Sequence, residues 1–192
     1  MKWIVVAILL LIVPYTFVTL RYRKPGPAFE PYNDLKNRAT VSRLLSAGYQ
    51  RIALLAQRPA DGVRATGGAI ITGTTGGIPA DLRATLVDPL ILPTSITALT
   101  AAASVSALQP YIIQLTCGLP DDKQQLGGAD LYVRGDQVVL APTFERIAGD
   151  LLTRSRHASV LITIPPGILK AGHYTATLLA EQASQTWPLD VR

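Results

Sequence analysis

The sequence predicts a mainly β protein, a β-sandwich preceded by one N-terminal transmembrane helix and a short amphipathic helix. Three observations lead there. Residues 3–20 form one uncharged, largely apolar run. A proline-punctuated stretch and a helix-like segment follow, as far as Gly48. From Tyr49 onward, Thr, Val, Ile, Gly and Pro dominate, and runs of strand length alternate with turn signals, the rhythm of all-β domains. The chain therefore reads as an anchor with a basic flank (1–24), a linker and helix (25–48) and a sandwich domain (49–192).

The anchor begins at Trp3 and ends at Leu20. At about 1.5 Å per residue, a helix of this length spans roughly 27 Å, close to the hydrocarbon thickness of a bilayer. A cleaved signal would carry a small-x-small site after its apolar core. Here the residues are Phe17, Val18, Thr19, Leu20 and Arg21, and the only cysteine, Cys117, is too distant for lipoprotein processing. An uncleaved anchor is the expectation. Pro14 weakens one helical turn, which membrane helices tolerate. Trp3 and Tyr22 stand near the ends, where amphipathic rings favour the headgroup level. Arg21, Arg23 and Lys24 form the membrane flank and by charge alone favour a cytoplasmic C-terminal side. The two-residue N-terminal tail and the long domain that follows favour the signal-anchor layout, since long domains translocate largely regardless of charge. A single-pass cell-membrane protein with its domain on the periplasmic side is expected, and the cytoplasmic orientation stays open.

Charge is uneven along the chain. Residues 1–64 carry ten Lys/Arg against Glu30, Asp34 and Asp61, a balance of +7, while residues 65–192 sum to −2. The basic third reads as a collar facing anionic headgroups, worth about 1 kcal/mol per well-placed residue. Nucleic-acid binding would need a basic patch with interleaved aromatics or a recognisable motif, and neither is present, so no nucleic-acid partner is expected. One cysteine excludes an intrachain disulfide and a thiolate-rich zinc site. Set between Thr116 and Gly118, Cys117 reads as a small buried side chain.

Pro25, Pro27 and Pro31 make residues 24–32 a semi-stiff, extended spacer. Asn33 or Asp34 then caps a helix over about 33–47, with Leu35, Val41, Leu44 and Leu45 as the stripe that packs on the sandwich. Gly48 ends it, because glycine takes the left-handed C′ conformation without steric cost. Residues 49–57 either continue the helix or begin a strand, and Gly48 before them and Arg58-Pro59 after them favour the strand. Further strands are expected near 68–74, 82–87, 95–107, 111–117, 129–133, 137–141, 159–164, 173–180 and 185–191. Breaks fall at Gly76-Gly77-Ile-Pro79, Asp88-Pro89, Leu119-Pro120-Asp-Asp122, Gly127-Gly128 and Pro165-Pro166-Gly167, and Arg134-Gly-Asp-Gln137 reads as a tight hairpin. Residues 143–156 interrupt the pattern as a short helix or an ordered loop.

The C-terminal segment is the most specific. Leu169-Lys-Ala-Gly172-His-Tyr174-Thr-Ala176-Thr-Leu178, a turn near Gln182–Ser184, and Thr186-Trp187-Pro-Leu-Asp-Val191 follow in order. This resembles the last hairpin of immunoglobulin-like sandwiches, where a Leu/Asp-x-x-Gly-x-Tyr-x-Cys/Ala stretch sets a tyrosine at a strand corner with its hydroxyl bonded to backbone. The resemblance implies structural roles for Tyr174, Gly172 and Trp187. Ala176 stands where the frequent cysteine would be, so the disulfide version is not implied. The resemblance concerns fold, not activity.

Candidate chemistry is thin. Nucleophilic hydrolysis needs a base beside a Ser or Cys, and no Gly-x-Ser-x-Gly elbow is present. His157 reads as a solvated turn residue and His173 as a strand-edge surface residue. A metal site built from His157, His173 and Cys117 would need three distant strands to converge, without any i, i+2 or i, i+4 pair. Thr72-Gly-Thr-Thr-Gly-Gly77 lacks the Gly-Lys-Ser/Thr of a phosphate loop and reads as a hairpin turn. Asp121-Asp122 lacks the acidic spacing of a calcium loop. No catalytic residue, cofactor or metal is expected. The sequence instead predicts a membrane-anchored accessory or assembly subunit with two partners, the bilayer and another membrane or envelope protein. An envelope carbohydrate- or small-molecule-binding module is the alternative, and a membrane-tethered enzyme comes last.

Overall fold

The computed structural model describes residues 2–22, 31–57, 68–147, 152–153 and 155–192. It divides the chain into two compact units, residues 1–35 and 36–192, with the boundary inside a helix.

In the first unit, α1 runs over Lys2–Tyr22 with Pro14 inside it. Its exposed residues Leu10, Ile12, Val13, Tyr15, Phe17 and Val18 fall on several sides of a 3.6-residue period, so among the described residues no polar face opposes an apolar one. Thr16 and Thr19 donate their hydroxyls to the carbonyls of Ile12 and Tyr15, both at 2.6 Å, which hides their polarity against the helix backbone. Among the fully described residues no helix is long and apolar enough to cross a membrane. In α1 the side chains of residues 4–9, 11, 20 and 22 lie outside the description, and so do Arg23, Lys24 and the rest of the linker through residue 30.

The helix α2 spans Pro31–Ser46, so it begins before Asn33 and Asp34 rather than at them. Proline suits a first helical position, where its missing N–H costs nothing. Gly48 takes φ +79° at the helix end, as expected, and Tyr49 N–H donates to the Leu44 carbonyl at 2.8 Å. The predicted stripe is not the buried one. Leu44 alone is buried, whereas Leu35, Val41 and Leu45 are exposed.

The second unit is mainly β, as predicted. The strands are β1 (Gln50–Gln57), β2 (Thr72–Thr75), β3 (Ile96–Ala101), β4 (Ser104–Val105), β5 (Tyr111–Gly118), β6 (Gln124–Arg134), β7 (Gln137–Arg146), β8 (His157–Ile164), β9 (Gly172–Leu178) and β10 (Ala183–Val191). They form one curled sheet in the order β2-β10-β9-β7-β6-β1-β8-β5-β3, with β4 also on β10. The curl turns on β1. Its residues Gln50–Leu55 pair with β6, and Ala56 and Gln57 pair with β8. The two halves thus face each other over a core that includes Leu131, Leu140, Leu178 and Trp187 from one side and Ile113, Leu115, Cys117 and Ile162 from the other. Most pairs are antiparallel, but β7 runs parallel to β9 and β4 parallel to β10. The hairpin resemblance does not imply those parallel pairs.

The predicted Arg134-Gly135-Asp136-Gln137 hairpin is present, with Arg134 facing Gln137. Its strands are longer than expected, and β7 continues to Arg146 where a helix or loop was predicted. Residues 148–151 and 154 of that predicted segment lie outside the description. Two other expectations are corrected. Residues 82–87 are not a strand: α3 spans Ala80–Thr85 and buries Leu82. Pro79 precedes it and Asp81 lies in its first turn, where a negative charge favours the helix N-terminus. Thr72–Thr75 is an edge strand on β10, overlapping the strand expected near 68–74, so the hairpin-turn reading of Thr72–Gly77 is the part corrected.

The β6–β7 hairpin is covered on both faces. Outside the main core, Tyr132, Val139 and Ala141 pack with Leu44 of α2, Leu82 of α3, Leu92 and Leu179. Arg134 bonds Asp81 at 2.9 Å and lies 4.4 Å over the Tyr49 ring, which ties α3 and the start of β1 to the hairpin. On the same face Asp130 is buried and bonds Arg51 at 2.7 Å, so this buried carboxylate is paired within the fold.

Candidate functional site

The candidate site arises where β1 changes partners. β1 leaves β6 after Leu55↔Gly128 and joins β8 at Ala56↔Ile162. Both neighbours extend further at that end, β6 back to Gln124 and β8 back to His157. Among the described residues an open groove of about 960 Å³ lies at that end, near the upper end of the roughly 300–1,000 Å³ range of ligand clefts. Leu119, Leu126, Ile147, Leu152 and Val160 give it apolar walls, while Gln125, Glu145, Ser155, His157 and Ser159 add polar groups.

Local sequence explains its shape. Leu126 faces Phe144 and Gly128 faces Thr143, so Gly127 is the extra residue of a β-bulge. A Cβ at Gly127 would stand 2.6 Å from Cγ and 2.7 Å from Oε1 of Glu145. Glycine there lets the Glu145 side chain lie across the bulge. The far wall is held by short-range bonds. Arg156 grips Asp122 through Nε at 2.9 Å and Nη2 at 3.0 Å, a two-point geometry that fixes orientation. The Asp122 carbonyl accepts from Thr153 N–H at 2.9 Å, and Ile147 N–H donates to Lys123 at 2.8 Å. Ser159 shares a hydroxyl bond with Thr116 at 2.9 Å, and His157 N–H donates to Ser155 Oγ at 3.1 Å. At the head of β6, Gln124 Oε1 is buried without a hydrogen-bond partner among the described residues.

The residues singled out by sequence are dispersed. His157 is exposed at the start of β8 and lines the groove, rather than sitting in a turn. Cys117 is buried in the core as expected, and burial pushes its thiol up to about 11. His173 lies on β9, exposed as expected, with Nδ1 3.1 Å from Asp190. Asp190 also bonds Arg192 at 2.7 Å, which holds its carboxyl below the usual range. Among the described residues no group of three His, Cys, Asp or Glu could hold a metal ion. Asp122 of the Asp121-Asp122 pair is engaged by Arg156.

Tyr174 donates to the carbonyl of Lys170, four residues upstream, at 3.0 Å. Its ring is half-buried rather than buried, because one face meets the core while the hydroxyl reaches solvent. Gly172 begins β9, and Trp187 is buried on β10. Arg21 is exposed at the end of α1. Sequence reasoning missed Gly127, Glu145 and Ser159 as site residues. The signal available was the Gly127-Gly128 pair, since glycines inside a strand mark bulges and close approaches.

No protein-family model matches this chain, and comparison with curated proteins and with solved structures finds no match either.

Proposed function

We propose that this protein is a single-pass, membrane-anchored accessory or assembly subunit without catalytic activity, whose β-domain binds another membrane or envelope protein on the extracytoplasmic side. The observation that carries the reading is α1. Its 21 residues correspond to roughly 31 Å of helix, and its described apolar side chains fall on several sides of it. In a bilayer that pattern is satisfied on every face, whereas in water it would expose Leu10, Ile12, Val13 and Phe17 together. The Tyr174–Lys170 bond supports an immunoglobulin-like sandwich for the domain, a scaffold on which binding is built in loops and edges. The groove supports an interaction role, being large, open and mixed in polarity.

A second reading, a module that binds an envelope carbohydrate or small molecule, rests on the volume of the groove alone. Its described lining contains no Phe, Tyr or Trp, and stacking faces for sugars are therefore lacking among those residues.

Orientation and anchoring are tested in one experiment. Asp136 is exposed in the β6–β7 turn, and Cys117 is buried, so an unsubstituted chain serves as the control for background labelling. In intact cells, Asp136→Cys should react with a membrane-impermeant maleimide, and the labelled protein should stay in the membrane pellet after alkaline carbonate washing. Release by carbonate removes the anchor from the proposal, and labelling only after cell lysis reverses the orientation.

A further inference from the structure

We infer that the outward face of α2 docks on the anionic headgroup layer of the bilayer that holds α1, so that the β-domain meets the membrane surface through this helix. The inference rests on the membrane-anchored reading above and adds an interfacial contact to the spanning one.

Period and exposure define the face. Arg38, Val41, Ser42 and Leu45 stand at i, i+3, i+4 and i+7, one side of an α-helix, and all four are exposed. Leu44 lies about 100° around the helix from Leu45 and packs with Tyr132, Val139 and Leu82. Lys36 adds a bond to Asp88 at 3.0 Å. One side of α2 is thus committed to the β-domain, and that commitment fixes where the other side points. Val41 is 44% exposed and Leu45 65%, and neither belongs to a core cluster among the described residues. The helix presents two aliphatic side chains and an arginine away from the domain.

Charge and reach select lipid as the occupant. Residues 23–46 carry Arg23, Lys24, Lys36, Arg38 and Arg43 against Glu30 and Asp34, five minus two, a balance of +3. Anionic headgroups attract a basic segment of this kind close to a spanning helix. Arginine suits the boundary, since its aliphatic stem lies along apolar surface while its guanidinium pairs with phosphate. Only residues 23–30 separate Tyr22 from Pro31, a span of at most about 30 Å when fully extended. A bilayer that holds α1 therefore stands within reach of α2. Two aliphatic residues are few for a free amphipathic helix, but tethering makes the contact intramolecular, and a weak preference then suffices.

The test places the full chain in lipid nanodiscs of phosphatidylcholine with one-third phosphatidylglycerol. A nitroxide label at Ser42→Cys reads the face without removing Val41 or Leu45, and one at Leu108→Cys reads an exposed point on the β-domain. The unsubstituted chain, with Cys117 buried, gives the labelling background. At Ser42 the label should keep its collisions with oxygen, which partitions into lipid, and lose those with a water-soluble nickel chelate. At Leu108 it should stay open to nickel. Arg38→Glu with Arg43→Glu, or Val41→Ser with Leu45→Ser, should restore nickel access at Ser42, and discs of phosphatidylcholine alone should raise it. Nickel access at Ser42 equal to that at Leu108, in discs that retain the chain, overturns the docking face and leaves the anchor standing. A Ser42 label shielded from oxygen and nickel alike is packed on protein and also overturns it, as does protection that both double variants leave unchanged. A chain that the discs fail to retain removes the anchor and this contact together.

Discussion

Trp187 on β10 donates its indole N–H to the hydroxyl of Tyr111 on β5 at 2.9 Å, across the core between the two halves of the sheet. Tyr111 in turn donates to the carbonyl of Ala102 at 2.7 Å. Both residues are buried, so the relay is satisfied without water and fixes the spacing of the halves. Tyr111→Phe would orphan both the indole N–H and the carbonyl. It should destabilise the protein by about 1–3 kcal/mol. Chemical denaturation of the detergent-extracted chain measures this, and the further cost of Trp187→Phe should be smaller in the Tyr111→Phe background than in the native one.

Alkaline pH should weaken the fold through the same core. Burial pushes the Tyr111 hydroxyl up to about 12 from an ordinary 10.0, with the Trp187 bond acting in the opposite direction. Burial also raises the hydroxyl of Tyr132. The unfolded chain releases these protons at lower pH than the folded one. The contribution is therefore fully present below about pH 10 and is lost as pH climbs towards 12. For Tyr111 the slope is about 1.4 kcal/mol per pH unit within that window. Melting curves at stepped pH should flatten in Tyr111→Phe.

Tyr174→Phe removes the bond to Lys170, but that carbonyl can turn to water because the hydroxyl end is exposed. The expected cost is about 0.5–1 kcal/mol, below the value for a fully buried corner. Tyr49→Phe should change stability by less than about 0.5 kcal/mol, since Arg134 sits over the ring face and not at the hydroxyl. Equal effects of the two changes would remove the special role of Tyr174.

Leu44 is 1% exposed and Leu45 65%, though they are neighbours on α2. Leu44→Ala should cost about 2–5 kcal/mol and loosen α2 from the β6–β7 face. Leu45→Ala should stay within about 0.5 kcal/mol. Amide exchange across Lys36–Ser46 distinguishes the two variants, as only the first should raise it.

What could be read in the sequence was local. The β6–β7 hairpin was legible because Arg134-Gly135-Asp136-Gln137 carries its own turn chemistry, and the β9–β10 hairpin because Tyr174 and Trp187 stand at fixed offsets from a glycine and a turn. Gly48 was legible as a helix end for the same reason. The stretch Leu82–Val87 was misread because six residues of alternating polarity suit a strand as well as a short helix, and burial of Leu82 against Leu44 decided it. On α2 the pattern offered four aliphatic residues, and the sheet beneath accepted only Leu44. The groove was not legible at all. It depends on β1 exchanging β6 for β8 between Leu55 and Ala56, a property of pairing partners more than 70 residues away in sequence.

The central claim is that the anchored domain works by binding another membrane or envelope protein. Native mass spectrometry of the full chain, extracted from its own membranes in mild detergent without added ligand, tests it most directly. The expected result is this subunit in fixed stoichiometry with a second protein, released together and separated only at higher collision energy. A chain that emerges alone, at the mass of a monomer and with no second protein at any detergent concentration that keeps it folded, would contradict it.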